Sequence, residues 1–176
     1  SGLIDVEEYD SEKIAVDLGM PNLNWKKIPL SHETPTENLG INSGHLKDGF
    51  ALNIGNPHLV FFDEEINIKK IESEAQKISR SDLFPSGINI SVVKVVSKNE
   101  IKVITHERGV GITQACGSGA GASAFASNRL NYCDKKIKVH MNGGYLNVEI
   151  TKDGHILIIG DAKEVYKGNI NLESYE

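Results

Sequence analysis

The hydrophobic pattern alternates along most of the chain and predicts a protein built mainly from short strands. Apolar residues alternate with polar ones or form short continuous runs at residues 14–21, 27–30, 49–55, 59–62, 88–96, 100–107, 137–141, 145–150, 156–159 and 162–167. Turn-forming pairs, such as Gly143-Gly144 and Asp153-Gly154, separate several of these runs. Many antiparallel strands with few helices indicate an α+β protein rather than an alternating parallel one.

Two segments follow a helical period instead. Residues 63–65 supply an acidic helix start, and apolar residues then recur at helical spacing as far as Ile78. The second predicted helix spans residues 117–130 and is small on every face. Glycine weakens an isolated helix by up to about 1 kcal/mol relative to alanine. We therefore expect this helix to be packed closely on all sides, as when a curved sheet wraps it.

Composition and charge narrow the classes of protein. The 176 residues suffice for one ordinary domain or two small ones, and 39% hydrophobic with 24% charged residues is typical of soluble globular proteins. The net charge of −5 argues against a nucleic-acid partner. No apolar run approaches the roughly 20 residues of a membrane span, and the acidic start argues against a signal peptide. Two cysteines do not form a disulfide framework, so a reducing cytoplasm is expected.

Cys116 is the strongest candidate for chemistry. It lies between a glycine-rich loop and the predicted start of the small-residue helix, where unpaired N–H groups and the helix dipole favour negative charge. This position predicts a lowered thiol pKa and a more reactive sulfur, and it also suits a bound carboxylate. The alternative is a buried structural thiol. Cys133, near the end of the same helix, is interpreted as structural.

Other polar residues have a functional and a structural interpretation. Glu107 and Arg108 form either a solvated surface pair or a carboxylate and a guanidinium that bind a substrate. Asn56 and His58 either make a turn around a proline or contact a ligand and a thiol. Asn89, inside an apolar strand, needs a ligand or neighbouring backbone as partner. The histidines show no metal-binding spacing, and no phosphate loop is present.

Several of these segments together resemble the diaminopimelate epimerase family. They are Gly55-Asn56-Pro57-His58, Phe84-Pro85 with Asn89, Glu107 to Gly111, Gln114 to Ala120, Gly143-Gly144, and residues 159–168. The resemblance runs over nearly the whole chain in the same order. It implies a fold of two similar lobes, in each of which a mixed, mostly antiparallel β-barrel is wrapped around a central helix. It also implies a cofactor-independent, metal-free reaction that converts LL-diaminopimelate to the meso form, with two cysteines acting on opposite faces of the α-carbon.

The resemblance assigns roles to single residues. Cys116 corresponds to the acid/base cysteine of the C-terminal lobe, Glu107 to the carboxylate near the reacting thiol and the α-amino group, and His58 to the histidine associated with the other lobe's cysteine. The other matching residues bind substrate: Gly117 and Ser118 the α-carboxylate, and Asn56, Asn89 and Arg108 the distal end.

One part of the family pattern is missing. No segment matches the N-terminal lobe with its own cysteine, so we expect residues 1–176 to be the C-terminal lobe, with 1–20 as the interlobe crossover and first strand. The chain alone is expected to be inactive, and a homodimer is expected from the family. The alternatives are another cofactor-independent amino-acid racemase, a non-catalytic binding module, and, more weakly, a redox-active thiol protein.

Overall fold

The computed structural model describes residues 4–10 and 13–171. Within them, two helices, α1 (Ile68–Ser79) and α2 (Gly117–Arg129), accompany ten strands. The strands are β1 (Asp5–Asp10), β2 (Lys13–Asp17), β3 (Phe50–Asn53), β4 (Pro57–Phe62), β5 (Asn89–Ser97), β6 (Glu100–Glu107), β7 (Gly111–Ile112), β8 (Lys136–Met141), β9 (Gly144–Ile150) and β10 (Ile156–Asp161). No helix of the described residues is both long and apolar enough to cross a membrane.

The strands form one curved sheet that almost closes on itself. Their order is β1-β2-β10-β9-β8-β6-β5-β4-β3, with β7 added to β6. The β4–β5 and β6–β8 pairs are parallel, and the other pairs are antiparallel. Beyond β2, Asn22 exchanges two backbone hydrogen bonds with Asn53 of β3, at 2.8 and 2.9 Å. This bridge links the two sides of the sheet, and the predicted α+β fold, a mixed sheet wrapped around a small-residue helix, is confirmed.

Helix α2 fills the interior of the sheet. It contacts seven strands, β3 to β6 and β8 to β10. A Cβ atom on Gly121 would lie 3.0 Å from Leu18 Cδ1 and 3.2 Å from Ile156 Cγ2. The absence of a side chain at Gly121 therefore lets β10 and the segment after β2 approach the helix closely. The inner core is apolar: Phe50, Leu52, Val60, Val93, Val103, Ala120, Ala124, Val139, Val148 and Ile156.

A second apolar layer covers the outer face of β4, β5 and β6. Helix α1 buries Ile71, Ala75 and Ile78 against it. The long connection before β3 is tied to this layer by His45, whose Nε2 lies 3.2 Å from Asp63 and whose Nδ1 lies 2.9 Å from Glu74. The sheet thus separates an inner core around α2 from an outer core beneath α1.

The structure corrects three predicted elements. Residues 27–30 are not a strand but part of a turn, because the Asn24 side chain accepts from the Lys26 N–H and the Leu30 N–H donates to the Trp25 carbonyl. Residues 162–167 are exposed and have no strand partner among the described residues. Helix α1 begins at Ile68 rather than at residues 63–65, because Asn67 caps it by accepting from the Lys70 N–H.

Candidate active site

The predicted site residues meet at one end of the curved sheet, around the N-terminus of α2. His58 on β4 is in register with Asn89, the first residue of β5. The β5–β6 register, with Ile90 opposite His106, places Asn89 beside Glu107, the last residue of β6. Because side chains alternate along a strand, these residues share the inner face with residues that contact α2. The sheet topology therefore brings together residues that are distant in sequence.

Cys116 is the N-cap residue of α2. Its backbone is extended, with φ −143° and ψ 105°, and its Sγ accepts a hydrogen bond from the Gly119 N–H at 3.3 Å. The residue is only 7% exposed. A Cβ on Gly119 would lie 2.7 Å from Thr105 Oγ1 and 3.2 Å from the Cys116 sulfur. Glycine at position 119 therefore lets the sulfur lie directly over the first turn of the helix.

The environment of Cys116 favours the protonated thiol. Burial raises the pKa of this thiol above its ordinary value, hydrogen bonds from Ser118 and the Gly119 N–H lower it, and the nearby Glu107 carboxylate raises it again. The prediction that the helix start lowers the thiol pKa is thus wrong in sum for this chain, since burial outweighs the helix contacts. At neutral pH, Cys116 carries its proton.

A short hydrogen-bond network links Cys116 to β4. Ser118 Oγ lies 3.5 Å from Cys116 Sγ, 3.1 Å from His58 Nε2 and 3.2 Å from Asn56 Nδ2, which donates to it. His58 Nε2 also lies 3.0 Å from Asn56 Oδ1. If Nε2 carries the imidazole proton, it donates to Asn56 and leaves the Ser118 hydroxyl free to donate to the sulfur. This arrangement gives Asn56, Ser118 and the Nε2 atom of His58 a partner each.

His58 is fully buried and neutral. Burial lowers its pKa to about 4. Its Nδ1 atom is sealed from water and has no hydrogen-bond partner among the described residues. A buried histidine with one engaged and one vacant ring nitrogen has capacity for a further partner.

Glu107, Asn89 and Arg108 form the other side of the site. Glu107 Oε1 accepts a hydrogen bond from Thr113 Oγ1 at 2.7 Å. Asn89 Oδ1 accepts from the Arg108 backbone N–H at 2.9 Å, so neighbouring backbone supplies one partner of this strand-interior amide. The Arg108 guanidinium is exposed and donates through Nη1 to the Ser86 carbonyl at 2.6 Å. Within the part of the chain that the structure describes, its other N–H donors have no recorded partner and could bind a ligand.

Gly117 and Ser118 are the first two residues of α2, and both are half-buried. N–H groups in the first turn of a helix lack carbonyl partners within that helix, and the dipole makes this end attractive to an anion. The geometry therefore suits a carboxylate bound next to the Cys116 sulfur.

Sequence reasoning missed two residues that shape the site. Thr113 holds the Glu107 carboxylate, and Met141 Sδ lies 3.5 Å from the Cys116 backbone N–H. Neither residue has a local sequence signal, because both contacts depend on how β7 and β8 pair with β6. Cys133 is buried in the inner core, and its thiol donates to the Ser97 carbonyl at 3.4 Å, a structural contact. Within residues 4–10 and 13–171, no group of three or more histidine, cysteine or acidic side chains could hold a metal ion.

Sequence comparison identifies the family. A sequence model of diaminopimelate epimerase matches residues 50–168. The chain belongs to the diaminopimelate epimerase family. Among curated relatives of that name, the Zymomonas mobilis protein is 35% identical over 175 residues and the Bartonella quintana protein 39% identical over 174 residues. The matches cover 99% and 97% of this chain but only 65% and 61% of the relatives' own lengths.

Solved structures share the fold at low sequence identity. A probable proline racemase from Agrobacterium radiobacter K84 superposes with a TM-score of 0.62 at 12% identity, covering 99% of this chain and 59% of that one. A phenazine biosynthesis protein of the PhzF family from Enterococcus faecalis has a TM-score of 0.55 at 17% identity and covers 95% and 60%. The chain therefore corresponds to about three fifths of proteins that are similar to it in sequence or in fold.

Proposed function

We propose that this chain is the C-terminal lobe of a cofactor-independent diaminopimelate epimerase, which inverts the α-carbon of LL-diaminopimelate to give the meso form. The observation that carries this proposal is the placement of Cys116 at the start of α2, linked through Ser118 to the buried His58 and flanked by Glu107. The proposed reaction follows from membership of the family. The proposed role of Cys116 is supported by its protonated thiol and its position at the N-terminus of α2, which suits an anion.

Cys116 is proposed to exchange a proton with one face of the α-carbon. In the forward direction, a thiolate from the other lobe removes the α-proton, the C–H electron pair stays on the carbon, and the Cys116 S–H delivers a proton to the opposite face. The raised thiol pKa supports the donor role, because a proton donor must carry its proton at the working pH. In the reverse direction, the Cys116 thiolate is proposed to remove the α-proton. The neighbouring Glu107 carboxylate raises the pKa of this thiol and so favours the form that has taken up the proton.

The carbanion is proposed to be stabilised through its α-carboxylate. The N–H groups of Gly117 and Ser118 and the dipole of α2 would bind this carboxylate as negative charge spreads onto it. Preorganised donors of this kind act most strongly in a dry, closed site. This role requires only backbone groups, which agrees with the small residues at the start of the helix.

Arg108, Asn89 and Asn56 are proposed to bind the distal amino-carboxylate end of the substrate. Arg108 keeps free guanidinium donors for a bidentate carboxylate contact, and Asn89 holds the Arg108 backbone in place. A substrate with a single carboxylate would leave the guanidinium unpaired. This difference selects diaminopimelate over simpler amino acids.

The remaining parts of the proposal concern the portion of the enzyme that this chain does not contain. His58 is proposed to be associated with the cysteine of the N-terminal lobe, as the family resemblance implies. With one catalytic cysteine, the chain alone is expected to be inactive. The completed enzyme is proposed to act in the cytoplasm, and a homodimer follows from the family resemblance alone.

The test adds the proposed N-terminal lobe to this chain. The N-terminal segment of the Zymomonas mobilis relative is fused to residues 1–176, and epimerisation of LL-diaminopimelate and exchange of its α-proton with D₂O are followed. We expect turnover by the fusion and none by the 176 residues alone. Cys116→Ala should reduce kcat/KM by at least about 10²-fold, the lower end for loss of a general acid or base. Cys133→Ala, the matched control, should stay within about twofold, because Cys133 contacts only the core.

Three outcomes would contradict the proposal. Activity of the fusion that survives Cys116→Ala would remove the cysteine from the reaction. Turnover of proline or glutamate in preference to diaminopimelate would favour another racemase. A folded fusion that binds diaminopimelate without exchanging its α-proton would favour a binding module.

A further inference from the structure

Three basic side chains stand side by side on the outer face of the sheet. Lys94 on β5 is paired with Lys102 on β6, and Lys102 is paired in turn with His140 on β8. Residues paired across adjacent strands project to the same side of a sheet. The next residue along β6, Val103, belongs to the inner core, and Ile104 belongs to the outer core. Because side chains alternate along a strand, the basic row lies on the outer face with Ile104.

The two lysines of this row lack a counter-charge. Like charges directly opposite one another on neighbouring strands destabilise a sheet. Within residues 4–10 and 13–171, neither Lys94 nor Lys102 forms an ion pair. His140 differs, because its Nε2 atom lies 2.7 Å from Glu100 Oε1. The described part of the chain therefore balances the histidine end of the row but leaves two ammonium groups unpaired.

The row lines a surface cavity of about 380 Å³. This volume is within the range of small-molecule sites, which are mostly apolar with a few placed polar groups. Ile66 and Ile104 give the cavity an apolar wall, and Asn142 adds a side-chain amide. Among the described residues, no acidic side chain lines it. The cavity therefore joins an apolar surface to a positively charged one.

This cavity is distinct from the candidate active site. None of the residues to which the epimerisation is assigned lines it. The two regions meet at Met141, which borders the cavity and whose Sδ atom lies 3.5 Å from the Cys116 backbone N–H. The Cys116 sulfur itself lies over the first turn of α2, inside the curved sheet. A ligand held by the two lysines would therefore lie on the opposite face of the sheet from the thiol.

The charge of the lining favours a phosphate group as the ligand. A phosphomonoester carries a charge of about −1.5 to −2 near neutral pH, which matches two ammonium groups. Lysine binds phosphate as a point charge and needs no planar partner. Paired residues on adjacent strands have Cβ atoms roughly 5 Å apart, so the flexible lysine stems allow both ammonium groups to contact one compact anion. A single carboxylate would balance only one of them.

We propose that this cavity binds a small molecule that carries a phosphate group, held between Lys94 and Lys102. The Asn142 amide is a further donor, and Ile66 and Ile104 contact the apolar part of the ligand. Binding at this position offsets the repulsion between the two lysines, so it stabilises the folded chain. The inference does not depend on the proposed epimerase activity, because none of these residues has a part in it.

The test is a titration of the 176-residue chain with inorganic phosphate, followed by NMR of the backbone amides. Sodium chloride is adjusted to keep the ionic strength constant. We expect saturable shifts of the Lys102 and Asn142 amide signals. Lys94→Gln and Lys102→Gln should each raise the apparent Kd at least fivefold. Lys152→Gln, the matched control, removes a charge from an exposed residue that does not line the cavity, and it should change the Kd less than twofold.

A second measurement uses stability and does not require signal assignment. Urea denaturation is followed with and without phosphate at the same ionic strength. Phosphate should raise the denaturation midpoint of the unmodified chain and of Lys152→Gln, because it binds only the folded state. The midpoint of Lys102→Gln should change by less than half as much.

Succinate tests the chemical class of the ligand under the same conditions, because its two charges lie on separate carboxylates. Saturation by phosphate with weaker or no saturation by succinate supports the proposal, provided that Lys102→Gln weakens binding more than Lys152→Gln. The absence of saturation with phosphate, or tighter binding of succinate than of phosphate, would overturn it. Equal weakening by the two variants would also overturn it, since that is the signature of general charge attraction.

Discussion

At the scale of single residues, His58 shows how burial decides chemistry. The side chain lies at the inner face of β4, and its Nε2 contacts Asn56 and Ser118. Desolvation disfavours the imidazolium and lowers the pKa to about 4, against an unperturbed value of about 6.5. His58 is therefore neutral at the pH where Cys116 carries its proton, and Ser118 connects two groups that are both uncharged.

This lowered pKa predicts a specific dependence of stability on pH. Between about pH 6.5 and 4, the unfolded chain binds a proton at His58 and the folded chain does not, so acid favours unfolding. The contribution of His58 is fully present above pH 6.5, and about 3 kcal/mol of the free energy of unfolding is lost as the pH falls to 4. Urea denaturation across this range should show a shallower pH dependence for His58→Gln than for the unmodified chain. The exposed His32 provides the control, and a curve for His58→Gln parallel to that of His32→Gln would contradict the prediction.

The sequence predicted residues that the fold brings together, but not the direction of the thiol pKa. Local context marked Cys116 and Glu107, because a cysteine at a helix start and a carboxylate at a strand end are visible along the chain. The direction of the thiol pKa was wrong, because it depends on burial by elements remote in sequence. Thr113 was missed for the same reason, since its contact with Glu107 arises only when β7 folds back on β6.

At the scale of elements, α2 is limited by the space inside the sheet. Two glycines of its first turn differ in their surroundings. A Cβ on Gly119 would overlap Thr105 Oγ1 at 2.7 Å, whereas a Cβ on Gly117 would meet only Ile158 Cδ1, at 3.4 Å. The second distance is an ordinary van der Waals contact. Helix propensity favours alanine at both positions, so a difference between the two substitutions isolates the effect of packing.

Alanine at Gly119 and alanine at Gly117 should change the free energy of unfolding differently. Gly119→Ala should lower the free energy of unfolding by about 1–3 kcal/mol, the usual range for overpacking a close-packed core. Gly117→Ala should leave it within about 0.5 kcal/mol of the unmodified chain or raise it slightly. Urea denaturation of both variants measures the difference. Equal stability of the two would mean that the sheet adjusts to α2 rather than constraining it.

The hydrophobic periodicity predicted most strands of the sheet. It was wrong for two runs, at residues 27–30 and 162–167. The runs around β5, β6 and β8 to β10 were recognised because one or both of their faces are buried. The run at residues 27–30 has the same apolar character, but the Asn24 side chain turns the chain before a strand can form. Residues 162–167 have a strand-like composition and no strand partner among the described residues. A strand requires a neighbour, which a single-sequence pattern does not supply.

At the scale of the molecule, exposed apolar side chains lie in the loop beyond Arg108 and in the segment after β10. Cys116 and Ser118 lie at the start of α2, and His58 lies on β4. The loop beyond Arg108, in contrast, is exposed, and Val110 is 73% accessible. Val165 and Tyr166, within the part of the chain that matches the family, are 88% and 85% accessible. Large exposed apolar side chains are typical of a surface that another part of the protein covers.

Amide hydrogen exchange can locate that covered surface. If the proposed N-terminal lobe docks over the site, fusing the corresponding segment of the Zymomonas mobilis relative should slow exchange at the start of α2 and in residues 162–168, compared with the 176-residue chain. The β9–β10 turn at residues 151–155 is the internal control, because its backbone hydrogen bonds are local: the Thr151 N–H donates to the His155 carbonyl and the Gly154 N–H to the Thr151 carbonyl. Slowing at the turn as well would indicate a general gain of stability. Unchanged exchange at the start of α2 would contradict docking over the site, whereas slowing confined to α2 would place residues 162–168 outside the covered surface.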